Sequence, residues 1–202
     1  NLLRAISHDL RTPLTSITGS ARILLETGGS MDPETRKRLY LDIYDDSRWL
    51  ISLVENLLSV TRLENGSVNM NIQPELLEDV FTEALSHLDR RSCEHEISLS
   101  LKNDLLMAYM DSALMTQVII NIVNNAIKYT PVGSHIEISG FEKDGQVIVE
   151  IADDGPGIPT ESREKIFDMF YTAGAKASAD GRRGLGLGLA LCRSIISAHG
   201  GT

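Results

Sequence analysis

Four short stretches of this chain hold residue types at spacings that could do chemistry. In the first, His8 is followed by Asp9, with Thr12 one turn further on and Pro13 next to it. An imidazole beside a carboxylate can be held in one tautomer and used as a nucleophile. Proline inside a helix removes one backbone bond, here freeing the carbonyl of Asp9. In the second, Asn121, Asn125 and Lys128 fall at i, i+4 and i+7, one polar stripe of a helix. Magnesium takes hard oxygen ligands and lysine offers phosphate a point charge, so this stripe suits a hydrated Mg²⁺ carrying phosphates. Asparagine is a poor helix former, and repeating it needs a reason. The third is Asp153-Asp154-Gly155-Pro156-Gly157-Ile158. A carboxylate fixed at a strand end can accept hydrogen bonds from an adenine amino group, and the glycines let backbone pass close to a base. The fourth is Gly184-Leu185-Gly186-Leu187-Gly188-Leu189-Ala190-Leu191. Glycines opening a helix let backbone N–H groups and the helix dipole meet a phosphate. Leu189 breaks the dinucleotide-binding glycine spacing counted from Gly184, and no Gly-Lys pair exists for a Walker loop. Taken singly, these are also a surface histidine, a solvated helix face, an Asp-Gly-Pro turn and a glycine-rich loop.

Residues 1–64 read as two helices. Leu3, Leu10, Ile17 and Leu24 recur every seven residues, flanked by Ile6, Leu14 and Ala21, and His8 lies opposite that stripe, facing solvent. Gly28-Gly29 ends the first helix through the left-handed conformation open to glycine. Asp32 offers an N-cap, with Pro33 and Glu34 in the first turn of the second helix. There, Ile43, Leu50 and Leu57 repeat the heptad with Leu39, Leu53 and Val60 between them, and Asn65-Gly66 ends it. A hairpin this thin cannot bury both stripes alone, so a homodimer forming a four-helix bundle is expected. Beyond residue 66, β-type runs at Val68–Ile72, Ile97–Leu101 and Leu105–Tyr109 alternate with helices around Leu76–Leu88 and Ala113–Tyr129. Alternating Ile136, Ile138, Val147, Val149 and Ile151 flank Asp144-Gly145, a hairpin signal. Helices near Glu161–Phe170 and Leu187–Ala198 complete an α+β domain with a mostly antiparallel sheet and helices on one face.

In this order the stretches resemble the motifs of sensor histidine kinases. Ser7-His8-Asp9-Leu10-Arg11-Thr12-Pro13-Leu14 resembles their H-box, Gln117 through Thr130 the N-box, Asp153–Ile158 the first glycine box, Ile166–Phe170 the F-box and Gly184–Leu191 the second glycine box. The resemblance implies an α-helical hairpin (a dimeric four-helix bundle) over residues 1–66, the dimerisation and phosphotransfer domain. Residues 67–202 would then be a Bergerat-type ATP-binding sandwich. It further implies that His8 accepts the γ-phosphoryl group of ATP and passes it to an aspartate of a response-regulator receiver domain. Asp9 would orient His8, and Thr12 would position water for dephosphorylating the regulator. Asn125 would bind Mg²⁺ with Asn121 supporting the metal site, Lys128 would contact phosphate, and Tyr129 would lie against the nucleoside. Asp153 would read adenine, with Gly155, Gly157, Gly184, Gly186 and Gly188 forming the cradle. Tyr171–Arg183 has the composition of a flexible lid, whose Arg182 or Arg183 is either a γ-phosphate contact or a solvated charge. Ile166–Ala190 and the H-box are similar to potassium-responsive Kdp-type kinases. A Bergerat ATPase that hydrolyses ATP would instead carry Glu, a general base, at the position of Asn121, and an amide cannot take a proton from water. A serine kinase of the anti-sigma type would lack the helical hairpin, and a non-enzymatic dimerising protein would have damaged nucleotide motifs.

Composition sets the outer bounds. A net charge of −9 argues against a nucleic-acid surface, which needs a basic footprint, but leaves room for local Mg²⁺, Lys128 and helix-end amides to hold a polyanion. Two cysteines, Cys93 and Cys192, exclude a disulfide scaffold and a cysteine zinc site. His87, His95, His135 and His199 show no metal spacing, and Trp49 reads as a bundle side chain. No apolar run approaches about 18 residues, so any membrane attachment is expected only through absent upstream sensor segments, this being the cytoplasmic portion. The kinase family continues past Gly200-Gly201-Thr202 into a closing strand or two, so a fragment with an incomplete catalytic sheet is expected. His8 is remote in sequence from Asn125, so the catalytic domain is expected to swing about the Gly66 region.

Overall fold

A computed structural model describes residues 2–64, 70–88, 90–172 and 186–202, with side chains outside 2–9, 52, 60–64 and 90. The chain divides into two compact units, residues 1–59 and 60–202.

The first unit consists of α1 (Leu2–Thr27) and most of α2 (Pro33–Glu64). Pro13 sits inside α1 without ending it. The expected stop falls at Gly28, but neither Gly28 nor Gly29 is left-handed. Gly28 is needed for another reason: a Cβ there would run into the Leu24 carbonyl, to which its own N–H is bonded. Asp32 caps α2, its Oδ1 accepting the Thr35 N–H at 2.9 Å, and those hydrogen bonds hold its carboxyl below the usual range. Arg36 donates back to the Gly28 carbonyl at 3.4 Å, tying the turn. Leu10, Ile17, Ala21 and Leu24 are only half-buried, and Leu14, Ile51, Val54 and Leu58 are exposed.

The second unit is α+β. In chain order it has β1 (Gln73–Leu76), α3 (Leu77–Ser86), β2 (Glu96–Leu101), β3 (Met107–Met110), α4 (Ser112–Tyr129), β4 (His135–Lys143), β5 (Gln146–Asp153) and α5 (Gly188–Ala198), with short 3-10 turns at Arg90–Glu94 and Thr160–Ser162. Strands β1 and β3 pair antiparallel, while the other sheet runs β2-β4-β5. The β4–β5 hairpin closes where expected, with Lys143 opposite Gln146 and Asp144 and Gly145 both at positive φ (53° and 76°), as a type I′ turn demands.

Three expectations need correction. Of the expected strand Val68–Ile72, residues 68 and 69 lie outside the described residues and 70–72 are not strand, Ile72 being exposed; the first described strand is Gln73–Leu76, in register with β3 with Gln73 opposite Met110. The second sheet is mixed, because β2 lies parallel to β4 with Ile97 opposite Ile136, a pairing that local sequence does not encode. No α-helix forms over Glu161–Phe170. The backbone there makes i→i+3 bonds from Asp168 to Lys165 and from Tyr171 to Asp168, and Phe170 turns left-handed (φ 65°), giving its N–H to the Gly186 carbonyl instead.

Helix α4 is the spine of this unit because it is apolar on two sides. Ile119, Val123, Ala126 and Ile127 pack with Phe81, Ile136 and Ile138, while Val118 packs with Leu191, Cys192 and Ile195 of α5. Gly140 lets α3 approach the sheet; a Cβ would come within 2.6 Å of Leu77 Cδ2 and 2.8 Å of Leu101 Cδ2. What remains of the α4 surface between its two packed sides is the asparagine stripe.

Candidate functional site

The cap of α4 fixes where that stripe begins: Asp111 Oδ1 accepts the Leu114 N–H at 3.1 Å. One helical turn apart, Asn121 and Asn125 are half-buried. Asn121 faces the first turn of α5, with a Cβ placed on Gly188 lying 3.8 Å from its Oδ1. The Cys192 thiol lies beside Asn121 and its Sγ donates to the Val118 carbonyl at 3.7 Å, so the buried Asn121 Nδ2 has that weak sulfur acceptor and no oxygen or nitrogen partner. A buried amide N–H costs free energy while unpartnered. A phosphate oxygen or a metal-bound water would satisfy it, so the donor set fits a Mg·phosphate group on chemical grounds. Lys128, last of the stripe, rests its Nζ 5.0 Å above the Tyr129 ring, which is more than half exposed.

The end of α4 meets the Asp153–Gly157 loop through Thr130. Its hydroxyl donates to the Ala126 carbonyl (2.8 Å), and a Cβ on Gly155 would lie 2.6 Å from its methyl. Glycine at 155 therefore allows a close approach. Asp153, exposed at the end of β5, uses Oδ1 to accept the Gly155 N–H at 3.0 Å. Asp154 points elsewhere, accepting the His135 N–H at 3.1 Å. That bond and the Ser134 hydroxyl lower its pKa and pin the loop to the start of β4. Gly157 takes φ +73°. A cleft of about 470 Å³ is lined by Lys128, Tyr129, Thr130, Pro131, Asp154, Gly155 and Pro156, joining the helix end to this loop.

Gly186 is left-handed (φ +64°), and a Cβ there would collide with the Tyr171 carbonyl and lie 2.7 Å from its nitrogen. Gly188 opens α5. Gly184, Arg182 and Arg183 lie outside the described residues, as does most of the expected lid. His8 and Asp9 are on α1, with side chains outside those described; Thr12 is exposed, one turn beyond His8. The structure thus brings Asn121 and Gly188 together and unites Lys128, Tyr129 and Gly155 at one cleft. Among the described residues no cluster of three or more His, Cys, Asp or Glu side chains is placed to hold a metal.

Residues 1–66 match the family model described as the His Kinase A (phospho-acceptor) domain, and residues 110–202 match the histidine kinase-, DNA gyrase B- and HSP90-like ATPase model. The catalytic domain of histidine kinase ThkA superposes with a TM-score of 0.55 at 30% identity, over 64% of this chain and 82% of that one. The chain belongs to the sensor histidine kinases. Among curated members, sensor protein KdpD of Clostridium acetobutylicum is 47% identical over all of this chain, which spans 22% of that protein's length. The structure of ThkA in complex with response regulator protein TrrA is similar over 99% of this chain and 55% of that one (26% identity, TM-score 0.68). This histidine kinase chain has, among its described residues, no helix long and apolar enough to cross a membrane.

Three site features escaped sequence reasoning. Thr130 reads as the end of a motif rather than as the wedge against Gly155. Tyr171 donates to Ser162 Oγ at 2.9 Å, and His199 bonds to Asp111. Both are contacts between segments with no local signal.

Proposed function

We propose that this chain carries the catalytic parts of a sensor kinase. Residues 1–66 are the dimerisation and phosphotransfer domain and residues 67–202 the ATP-binding domain. The observation that carries the reading is the pairing of Asn121, whose buried amide has no oxygen or nitrogen partner, against the glycine opening α5, with a cleft walled by Lys128, Tyr129 and Gly155 at the end of the same helix. In this reading Asp153 accepts from the adenine amino group, Lys128 holds phosphate, and the N–H groups at the start of α5 receive phosphate oxygens. Gly184, Gly186, Gly188 and Gly157 keep the backbone close to the nucleotide. Asn125, supported by Asn121, would hold Mg²⁺, which supplies charge neutralisation on the phosphates.

The γ-phosphoryl group is transferred in line to a ring nitrogen of His8, oriented by Asp9, and then to an aspartate of a response regulator. Thr12 places the water that hydrolyses the regulator's aspartyl phosphate to aspartate and inorganic phosphate, a separate phosphatase activity. The half-buried and exposed stripes of α1 and α2 support pairing with a second copy as a four-helix bundle. Attachment to a membrane comes through sensor segments, with this portion in the cytoplasm. No acid–base side chain sits at position 121, so ATP hydrolysis by an activated water is disfavoured. Incubation with γ-labelled ATP and Mg²⁺ tests the reading. Label that is acid-labile, base-stable and absent in His8→Gln is expected, and label surviving that substitution would refute it.

A further inference from the structure

His199, at the C-terminal end of α5, is placed to set the geometry of a site about three turns away. Its ring is bonded at both nitrogens: Nε2 lies 3.0 Å from the Asp111 backbone nitrogen, and Nδ1 lies 2.8 Å from the Ile195 carbonyl. A backbone amide can only donate and a carbonyl can only accept. The imidazole is therefore neutral, protonated on Nδ1, with Nε2 as the acceptor. The Asp111 N–H is the donor immediately before α4, and the same residue's carboxylate caps that helix through Leu114 and accepts the Asn71 N–H at 3.0 Å. One histidine thus ties the end of α5 to the start of α4.

The two helices run antiparallel, and three contacts mark their register. His199 meets Asp111, Cys192 Sγ meets the Val118 carbonyl, and Gly188 meets the Asn121 side chain. From Asp111 to Asn121 is ten residues, and from Gly188 to His199 is eleven. Both spans are about 15–17 Å at 1.5 Å per residue. The middle of the seam is made of Val118, Leu191 and Ile195, which interdigitate, and the polar tie there is the weak, long bond from Cys192 Sγ to the Val118 carbonyl. A slip of one residue would move Gly188 about 1.5 Å along the asparagine stripe. That displacement is large against the roughly 0.5 Å tolerance of a preorganised site.

We propose that His199 is a positioning residue for the nucleotide site. Through its bond to the Asp111 N–H it holds the register of α5 on α4, and so the distance between the amide of Asn121 and the backbone at Gly188. The inference rests on the nucleotide-binding reading above.

The test uses the whole chain and two substitutions that differ in reach. Asn at 199 can mimic Nδ1 and keep the Ile195 bond but cannot reach Asp111, whereas the Gln carbonyl oxygen extends to the place of Nε2. Affinity for ATP with Mg²⁺ is measured by calorimetric titration at a temperature where circular dichroism shows each variant folded. His199→Asn is expected to weaken ATP binding about tenfold, and His199→Gln to restore it to within about threefold. An unchanged dissociation constant in His199→Asn, even with a lowered Tm, would make His199 merely structural and overturn the proposal, as would equal losses in the two variants. If His199→Asn does not fold, nitrogen-15 NMR of the unsubstituted chain decides. An Nδ1–H tautomer, with an Asp111 amide whose exchange slows on adding Mg·ATP, is expected; the Nε2–H tautomer, or an amide indifferent to nucleotide, would refute it. Failure of the unsubstituted chain to bind ATP at all would instead strike the nucleotide-binding reading.

Discussion

The two units solve the problem of burial differently. In the α+β unit, α3, α4, β4 and α5 bury Phe81, Val123, Ile136, Ile138, Leu191 and Ile195 almost completely. In the helical unit, Leu53 and Pro13 are the buried apolar side chains among the described residues, while Ile51, Val54 and Leu58 line an open face of α2. Both sequences are amphipathic, but only one has enough elements of its own to close a core. A hairpin of two helices has a stripe left over, and in the proposed four-helix bundle a second copy would supply the missing wall. The lesson is that the α+β unit closes a core by itself, while the helical unit leaves apolar stripes that the proposed association would cover.

The sharpest way to break this contrast is Phe81→Ala. Emptying that site should cost the α+β unit about 3–5 kcal/mol, and calorimetry should show its transition fall while that of the helices stays. Equal loss in both transitions would mean the units are not independent. Next, Val54→Glu places a charge on the open face of α2. It should raise the dimer dissociation constant about 100-fold, since burying an unpaired charge costs several kcal/mol. Sedimentation equilibrium would read this, and an unchanged dimer would put the interface elsewhere. Gly186→Ala adds about 1–2 kcal/mol of backbone strain at a left-handed position, besides the overlap with Tyr171. ATP affinity should drop about tenfold with the dimer intact, and a normal affinity would remove Gly186 from the cradle.

Two smaller effects sharpen the picture. The Asp32 carboxyl has a native pKa lowered from 3.8 by its cap bonds to the first turn of α2. Its contribution is whole above the unfolded value and disappears as pH falls through the lowered native one. The pH dependence of helical-unit unfolding below about pH 4 should therefore flatten in Asp32→Asn. Burial pushes the Cys192 thiol up to about 12, so in the native protein alkylation at pH 8 should mark exposed Cys93 and spare Cys192. Equal labelling would mean that α5 opens from α4.

Local chemistry was legible wherever one segment decides its own shape. Asp144-Gly145 forces a hairpin because both residues must turn left-handed, and Asp32 before Pro33 starts a helix by satisfying its first amides. The asparagine stripe of α4 followed from helical period alone, and so did the unburied heptads that call for a second copy. Glu161–Phe170 misled for the opposite reason. Its residues suit a helix, but the Phe170 N–H is taken by Gly186, far along the chain. The parallel β2–β4 pair, the wedge of Thr130 against Gly155, and the bond between His199 and Asp111 are likewise unions of distant segments. Periodicity, caps and turn residues report energies within a few residues of themselves, so the sequence determined the elements and the chemical groups they carry. The register between α4 and α5, and with it the geometry of the nucleotide site, was decided only when packing brought together groups that no local pattern relates.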